Sequence, residues 1–331
     1  MSSSPLVVLP LKGLKAASLG GAIVYKIESV IGHAAPADVK KVCNELQTLR
    51  DMLGKTTDSG LTNYTAESAA DEFERYNGLL AKLETRFDRH GAEIGCNFSI
   101  RDAWRSKAKC VQGDLQWDRV GALWNAAAAH SYCAANAQRK GYAQGGLKDA
   151  AERFRKAAGC LDAAHGIVHD AVVGLRPRWD PSSLTPDVMP EFLAAMRDMM
   201  LGQAQRAFYE QGVGQKLDDK VRRARARALT LPPTAPLPSP PRSVPAWQTL
   251  AKLSAQAGRL LSSAREHITG HMPDGIHWWD DLSDLASHVG TEGGMMKRAD
   301  HSWLGRLDAA ALWSEACAEE HSANEHKSNH E

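Results

Sequence analysis

A chain of 331 residues is long enough for one large domain or two small ones, and one elongated domain is the simpler reading. Its 40 lysines and arginines balance 39 aspartates and glutamates, so no global charge draws it to nucleic acid and any anionic contact has to be local. No stretch approaches the roughly 18 to 20 apolar residues that span a bilayer, and the opening MSSSPLVVLPLKGLK is too briefly apolar for a secretory signal, which reads as a soluble intracellular protein. Six cysteines (Cys43, Cys96, Cys110, Cys133, Cys160 and Cys317) lie singly with no Cys-x-x-Cys pair, and read as reduced thiols.

In chain order, Leu6 to Leu9 form a short apolar run with strand character, and Cys96 to Ile100 form a second with Phe98 facing inward. These two pair only if the fold brings distant segments together. Val39, Val42, Leu46, Leu49 and Leu53 predict one helix, and Phe73, Leu80 and Leu83 another. From about Asp118 to Gln138 the stripe Val120, Leu123, Trp124, Ala127, Ala128, Ser131, Ala135 is made mostly of small residues, which permits close packing and predicts a central helix. Leu147, Ala151, Phe154, Ala158, Leu161, His165 and Val168 advance by fours and threes along the next helix, which Gly174 and Pro177 stop. A further helix is expected to start with Thr185 as N-cap, Pro186 at its first position and Asp187 favouring the positive end of the dipole. Its apolar face runs through Phe192, Met196, Met199, Met200, Ala204 and Phe208. Trp247, Leu250, Leu253, Ala257, Leu260 and Leu261 predict one more.

Between the last two helices lie a basic run, Arg222, Arg223, Arg225 and Arg227, and the segment LPPTAPLPSPPRSVP from Leu231 to Pro245, which is too proline-rich for helix or strand. The end, EACAEEHSANEHKSNHE, is polar and reads as a disordered tail. The pattern as a whole predicts an all-helical body with a small sheet near the N-terminal half. The expected division is a domain over 1–313, with a basic and proline-rich inserted loop at about 211–245, followed by the tail 314–331.

Signals for catalysis are weak. His165 and His169, and likewise His267 and His271, are four apart on helices and could present two imidazoles to one metal, but HGIVH and HITGH lack the glutamate of the zinc-protease motif and no third ligand is evident. A half-buried structural histidine is the better reading of His165. There is no Gly-x-Ser-x-Gly elbow, phosphate loop or strand-linked Gly-x-Gly-x-x-Gly, and the Gly20–Gly21 and Gly145–Gly146 doublets read as turns. No enzyme, cofactor or metal is expected. The arginine run reads as a solvated helix face, with contact to anionic lipid as its functional alternative. Pro233-x-x-Pro236 and Pro238-x-x-Pro241 have the minimal spacing for an SH3-type groove, against the plainer reading of a surface insertion.

Taken in order, several segments resemble the BRO-one domain of ALIX-type endosomal sorting adaptors. They are Leu9-Pro10-Leu11-Lys12, Cys43-Asn44-Glu45-Leu46 with Leu49-Arg50, Phe98-Ser99-Ile100-Arg101-Asp102-Ala103-Trp104, and Leu123-Trp124-Asn125 followed by alanines. Then come Gly146-Leu147-Lys148, Leu184-Thr185-Pro186-Asp187, Met200-Leu201-Gly202-Gln203-Ala204-Gln205, and Ala251-Lys252-Leu253 with Gln256-Ala257. The resemblance implies a mostly helical, curved (banana-shaped) domain with a tetratricopeptide-like core and a small N-terminal β-sheet. It also implies a non-catalytic adaptor, cytoplasmic and peripherally associated with endosomes, that binds the C-terminal amphipathic helix of an ESCRT-III subunit. Such helix-in-groove recognition needs exposed apolar anchors at helical spacing.

Carried over by position, the family's groove phenylalanine is Phe208 and its second aliphatic anchor is Leu253, whereas the first aliphatic falls on Thr249 and a helping acidic residue falls on Gln144. Each of the two altered positions is expected to cost about 1 to 3 kcal/mol of binding. The alternative is a helical scaffold serving another partner, possibly an SH3-type domain at Leu231–Pro245. A metal-dependent enzyme built on the histidine pairs is a distant third reading.

Overall fold

The computed structural model describes residues 6–63, 65–87, 93–105, 107–230 and 255–264. Helices α1 (Leu19–Ile31), α2 (Ala37–Ser59) and α3 (Ala66–Glu84) precede strands β1 (Glu93–Arg101) and β2 (Lys109–Asp114), which pair antiparallel as a two-stranded sheet. Helices α4 (Leu115–Arg139), α5 (Gly146–Val172), α6 (Pro190–Thr230) and α7 (255–264) follow. The fold is therefore mostly helical with a small sheet, as expected.

Helix α4 is the centre. Asp114 caps it by accepting the Gln116 N–H at 2.9 Å, and its alanines Ala126 to Ala129 are fully buried, so the helix is enclosed all round rather than on one stripe. α3 and α5 pack along it, and α6 packs on α5. On α2 the buried face is Cys43, Leu46, Leu49, Arg50 and Leu53, and the predicted Val42 points outward, 63% exposed, because the helix is rotated toward Cys43.

Leu6 to Leu9 belong to no strand. This segment runs extended between helices, and side chains satisfy its backbone: Val7 N–H donates to Gln203 Oε1 at 2.7 Å, while Gln203 Nε2 donates back to the Val7 carbonyl at 3.1 Å. Leu9 N–H donates to Ser131 Oγ at 3.0 Å, and Trp124 Nε1 donates to the Pro10 carbonyl at 2.9 Å. Asn125 clamps Lys12 as Gln203 clamps Val7, accepting from its N–H at 2.7 Å and donating to its carbonyl at 3.0 Å. Each buried amide thus replaces a strand partner, which removes the cost of leaving buried backbone groups unpaired. The chain meets β1 only further on, where Leu14 forms an isolated antiparallel bridge with Ile100.

The segment expected to open α6 is a separate 3₁₀ turn, Pro186–Val188, and the α-helix begins at Pro190. Thr185 makes no side-chain cap, and Asp187 turns inward instead of serving the helix dipole. There it pairs with the fully buried Lys12 ammonium, which also lies 4.7 Å from the centre of the Trp124 ring, and accepts the Ala103 N–H at 2.7 Å. Asp102, beside them, accepts from the N–H groups of Trp104 and Arg105 at 2.8 and 2.9 Å, and the Trp104 ring packs edge-on against Trp124 and Phe192.

Burial, and then the neighbouring Asp187 carboxylate, push Asp102 up to about 6. A carboxyl that titrates higher in the folded chain contributes stability at acid pH, and that contribution is lost as pH rises through about 6. Asp102→Asn keeps the oxygen that accepts both N–H groups and removes the charge. Urea denaturation at pH 8 is expected to find this variant about 1 to 3 kcal/mol more stable than the parent, with the difference vanishing near pH 4.

Helix α6 continues to Thr230, so residues 211–230 of the expected inserted loop are helical and the arginine run lies on a helix. Gly212 and Gly214 are outweighed by a run of good helix formers after Gln215. The proline segment Leu231–Pro245, the tail 314–331, and His267 and His271 lie outside the described residues. The five cysteines among the described residues are free thiols.

Candidate functional site

Of the four residues proposed for partner binding, Phe208 and Gln144 are among the described residues, with Phe208 in the middle of α6. Phe208 is half-buried there and packs against the hydrophobic core. Two glycines of α6 mark close approaches on either side of it. At Gly202, a Cβ would come within 2.8 Å of the Leu261 side chain, so α7 lies directly on α6. At Gly214 a Cβ would meet the Tyr142 ring at 2.6 Å, so the turn joining α4 to α5 rests there. Phe208 is six residues from each, or about 9 Å along the axis.

Gln144 sits in that α4–α5 turn and is exposed. Leu253 and Thr249 lie outside the described residues, just ahead of α7, in which Ala257, Leu261 and Ala264 are buried. One acidic residue missed from sequence is Glu210, two positions beyond Phe208. Its carboxylate accepts from Arg206 Nε at 3.0 Å and from Gln138 Nε2 at 3.1 Å, which ties the end of α4 to α6. The signal for it was the Arg206/Glu210 spacing of four on a helix.

The histidine pair at 165 and 169 stacks with ring centres 5.7 Å apart. His165 is half-buried, as expected, and burial followed by the nearby Arg197 charge lowers its pKa. No third donor joins the pair among the described residues. No helix among the described residues is long and apolar enough to cross a membrane.

The sequence pattern of the BRO1-like domain matches residues 6–331, nearly the whole chain. The chain belongs to the BRO1-like domain family. It is 28% identical over 277 residues to the vacuolar protein-sorting protein BRO1 of Gibberella zeae, a match covering 83% of this chain and 23% of that protein. It is 26% identical over 295 residues to the apoptosis-linked gene 2-interacting protein X 1 of Caenorhabditis elegans, covering 87% of this chain and 28% of the relative. The chain thus spans about a quarter of the length of these curated relatives. Among solved structures it is similar to an ALIX BRO1 CHMP4C complex, with a TM-score of 0.66 at 18% identity, covering 99% of this chain and 74% of that one. This likeness identifies the fold, and it accounts for why the motif blocks fall where they do. Six polar residues in those blocks (Lys12, Arg50, Asp102, Asn125, Asp187, Gln203) are buried.

Proposed function

We propose that this BRO1-like domain is a non-catalytic adaptor that binds the C-terminal amphipathic helix of an ESCRT-III subunit and works at endosomal membranes from the cytoplasm. The observation that carries this reading is the placement of Phe208, an aromatic half-covered by core, on a helix flanked by the α4–α5 turn and by α7. An apolar helix face needs such a preformed ring held rigidly between neighbouring elements. A structural neighbour of the same fold is a complex with CHMP4C, which supports that class of partner. Thr249 and Gln144 weaken the expected contact, and Phe208 with Leu253 supplies its apolar part.

The test is fluorescence anisotropy of a labelled ESCRT-III C-terminal helix titrated with the protein. Saturable binding supports the reading, and no binding to any paralogue by a protein with normal helical circular dichroism removes it. The altered half of the site favours a second reading, a helical scaffold engaged by an SH3-type domain at Leu231–Pro245. Deleting those residues is then expected to abolish capture on an SH3-domain array. Arg222, Arg223, Arg225 and Arg227, at the end of α6, form the proposed peripheral contact with anionic lipid. Sedimentation with phosphatidylserine vesicles is expected to fall when all four are changed to glutamine.

A further inference from the structure

Three potential metal donors from three helices converge away from the α6 region. Glu74 of α3, His130 of α4 and Cys160 of α5 each place one ligand atom within 4.8 Å of the others. His130 Nε2 is 2.8 Å from Glu74 Oε1, and Cys160 Sγ is 3.9 Å from the same oxygen. The imidazole is fully buried and the thiol 8% exposed, whereas the Glu74 side chain is 43% exposed, so the cluster has two interior donors and one that opens to solvent.

We propose that Glu74, His130 and Cys160 form a binding site for a divalent transition-metal ion of the zinc class, with water in the fourth position. The donor set is one imidazole nitrogen, one thiolate sulfur and one carboxylate oxygen, the mixture that borderline cations such as zinc accept. In a tetrahedral zinc site neighbouring ligand atoms lie about 3.3 to 3.6 Å apart, given bond lengths of about 2.0 to 2.3 Å. The observed separations straddle that span. Binding requires the Nε2 to Oε1 contact to open by about half an ångström and the sulfur to draw inward to within that span of both. Glu74 can make that adjustment because its side chain is partly in solvent.

Charge also balances. A thiolate and a carboxylate neutralise a divalent ion, so a buried site gains no net charge. Cys160 is a free thiol whose Sγ donates to Glu74 Oε1. Binding forms the metal–sulfur bond and releases that one proton to solvent. The ring proton moves from Nε2 to Nδ1, which has no other hydrogen-bond partner, and the imidazole remains neutral. The positive groups that face the cluster are Arg153 and Lys156 of α5; Arg153 is engaged by Glu67, and Lys156 is exposed. Bound metal would link α3, α4 and α5.

The test is titration of the purified full chain with cobalt(II) under a non-thiol reductant, followed by zinc displacement. The expected result is a near-ultraviolet thiolate-to-cobalt absorption that saturates at one equivalent, is lost in Cys160→Ser, and is reversed by zinc with the release of cobalt. Glu74→Gln, at a partly exposed position that leaves packing intact, is expected to weaken cobalt affinity at least about tenfold. No such absorption, an absorption that Cys160→Ser leaves in place, or unchanged affinity in Glu74→Gln would each overturn the site.

Discussion

An Arg50→Met protein is expected to lose about 3 to 5 kcal/mol of stability, read as a lower urea midpoint with an unchanged denaturant slope. The Arg50 guanidinium is 1% exposed, and its Nε and one terminal nitrogen donate to the two oxygens of Asp118 at 3.0 Å each. The other terminal nitrogen donates to the Lys15 carbonyl at 2.8 Å, and the group lies 5.4 Å from the centre of the Phe98 ring. Tyr76 completes the network by donating its hydroxyl to Asp118 at 2.5 Å. One buried fork therefore ties α2, α3, α4, β1 and the N-terminal segment together. Methionine fills much of the volume but leaves the Asp118 carboxylate, fully buried, without its counter-charge.

A second comparison separates that cause from lost packing. In Arg50→Met/Asp118→Leu no charge is left behind, so the double variant is expected to be about 1 to 3 kcal/mol more stable than Arg50→Met alone. If the double variant were no more stable than the single one, the loss would come from packing, and the ion-pair account would fail.

The helices were legible because their apolar residues repeat with the helical period, and the burial of α4 because its stripe is alanine-rich. The buried polar network was not. Arg50 and Asp118 are 68 positions apart, and Lys12 and Asp187 are 175 apart, so no local pattern links them. Leu6 to Leu9 misled for a physical reason: a short apolar run reports a buried segment, and it does not distinguish a strand partner from the side chains of Gln203 and Ser131. The basic and proline-rich stretch at about 211–245 was expected to be a loop, but the helix formers of residues 215–230 carry α6 to Thr230. Glu74, His130 and Cys160 each read alone as an ordinary helix residue, because only the packing of α3, α4 and α5 brings them together. Of the residues proposed to bind a partner, periodicity placed Phe208 on its helix. That the turn carrying Gln144 rests on α6, with Tyr142 against Gly214, is a long-range contact that spacing cannot show.

Phe208→Asp is expected to weaken binding of an ESCRT-III C-terminal helix by about a hundredfold or more. The ring is half-buried, so its outer surface is available to a partner while its inner edge rests on core. A carboxylate there removes the apolar contact and must be desolvated against an incoming apolar helix face, and both effects act on the complex. α6 itself remains held by Gln203 and by the buried Phe192, Met196, Met199 and Met200, so helical circular dichroism is expected to be retained. Phe208→Leu, which keeps apolar surface of different shape, is expected to lose only about tenfold. Gln144→Glu provides the reciprocal test. It lies in an exposed turn where folding is indifferent to the change, and restoring an acidic group is expected to strengthen binding of a basic helix about two- to fivefold at low salt. That gain should shrink as ionic strength rises. If Phe208→Asp bound as well as the parent while remaining folded, the anchor would lie elsewhere. Loss at Phe208 with no response at Gln144 would mean that the apolar contact alone holds the partner and that the turn stands clear of it.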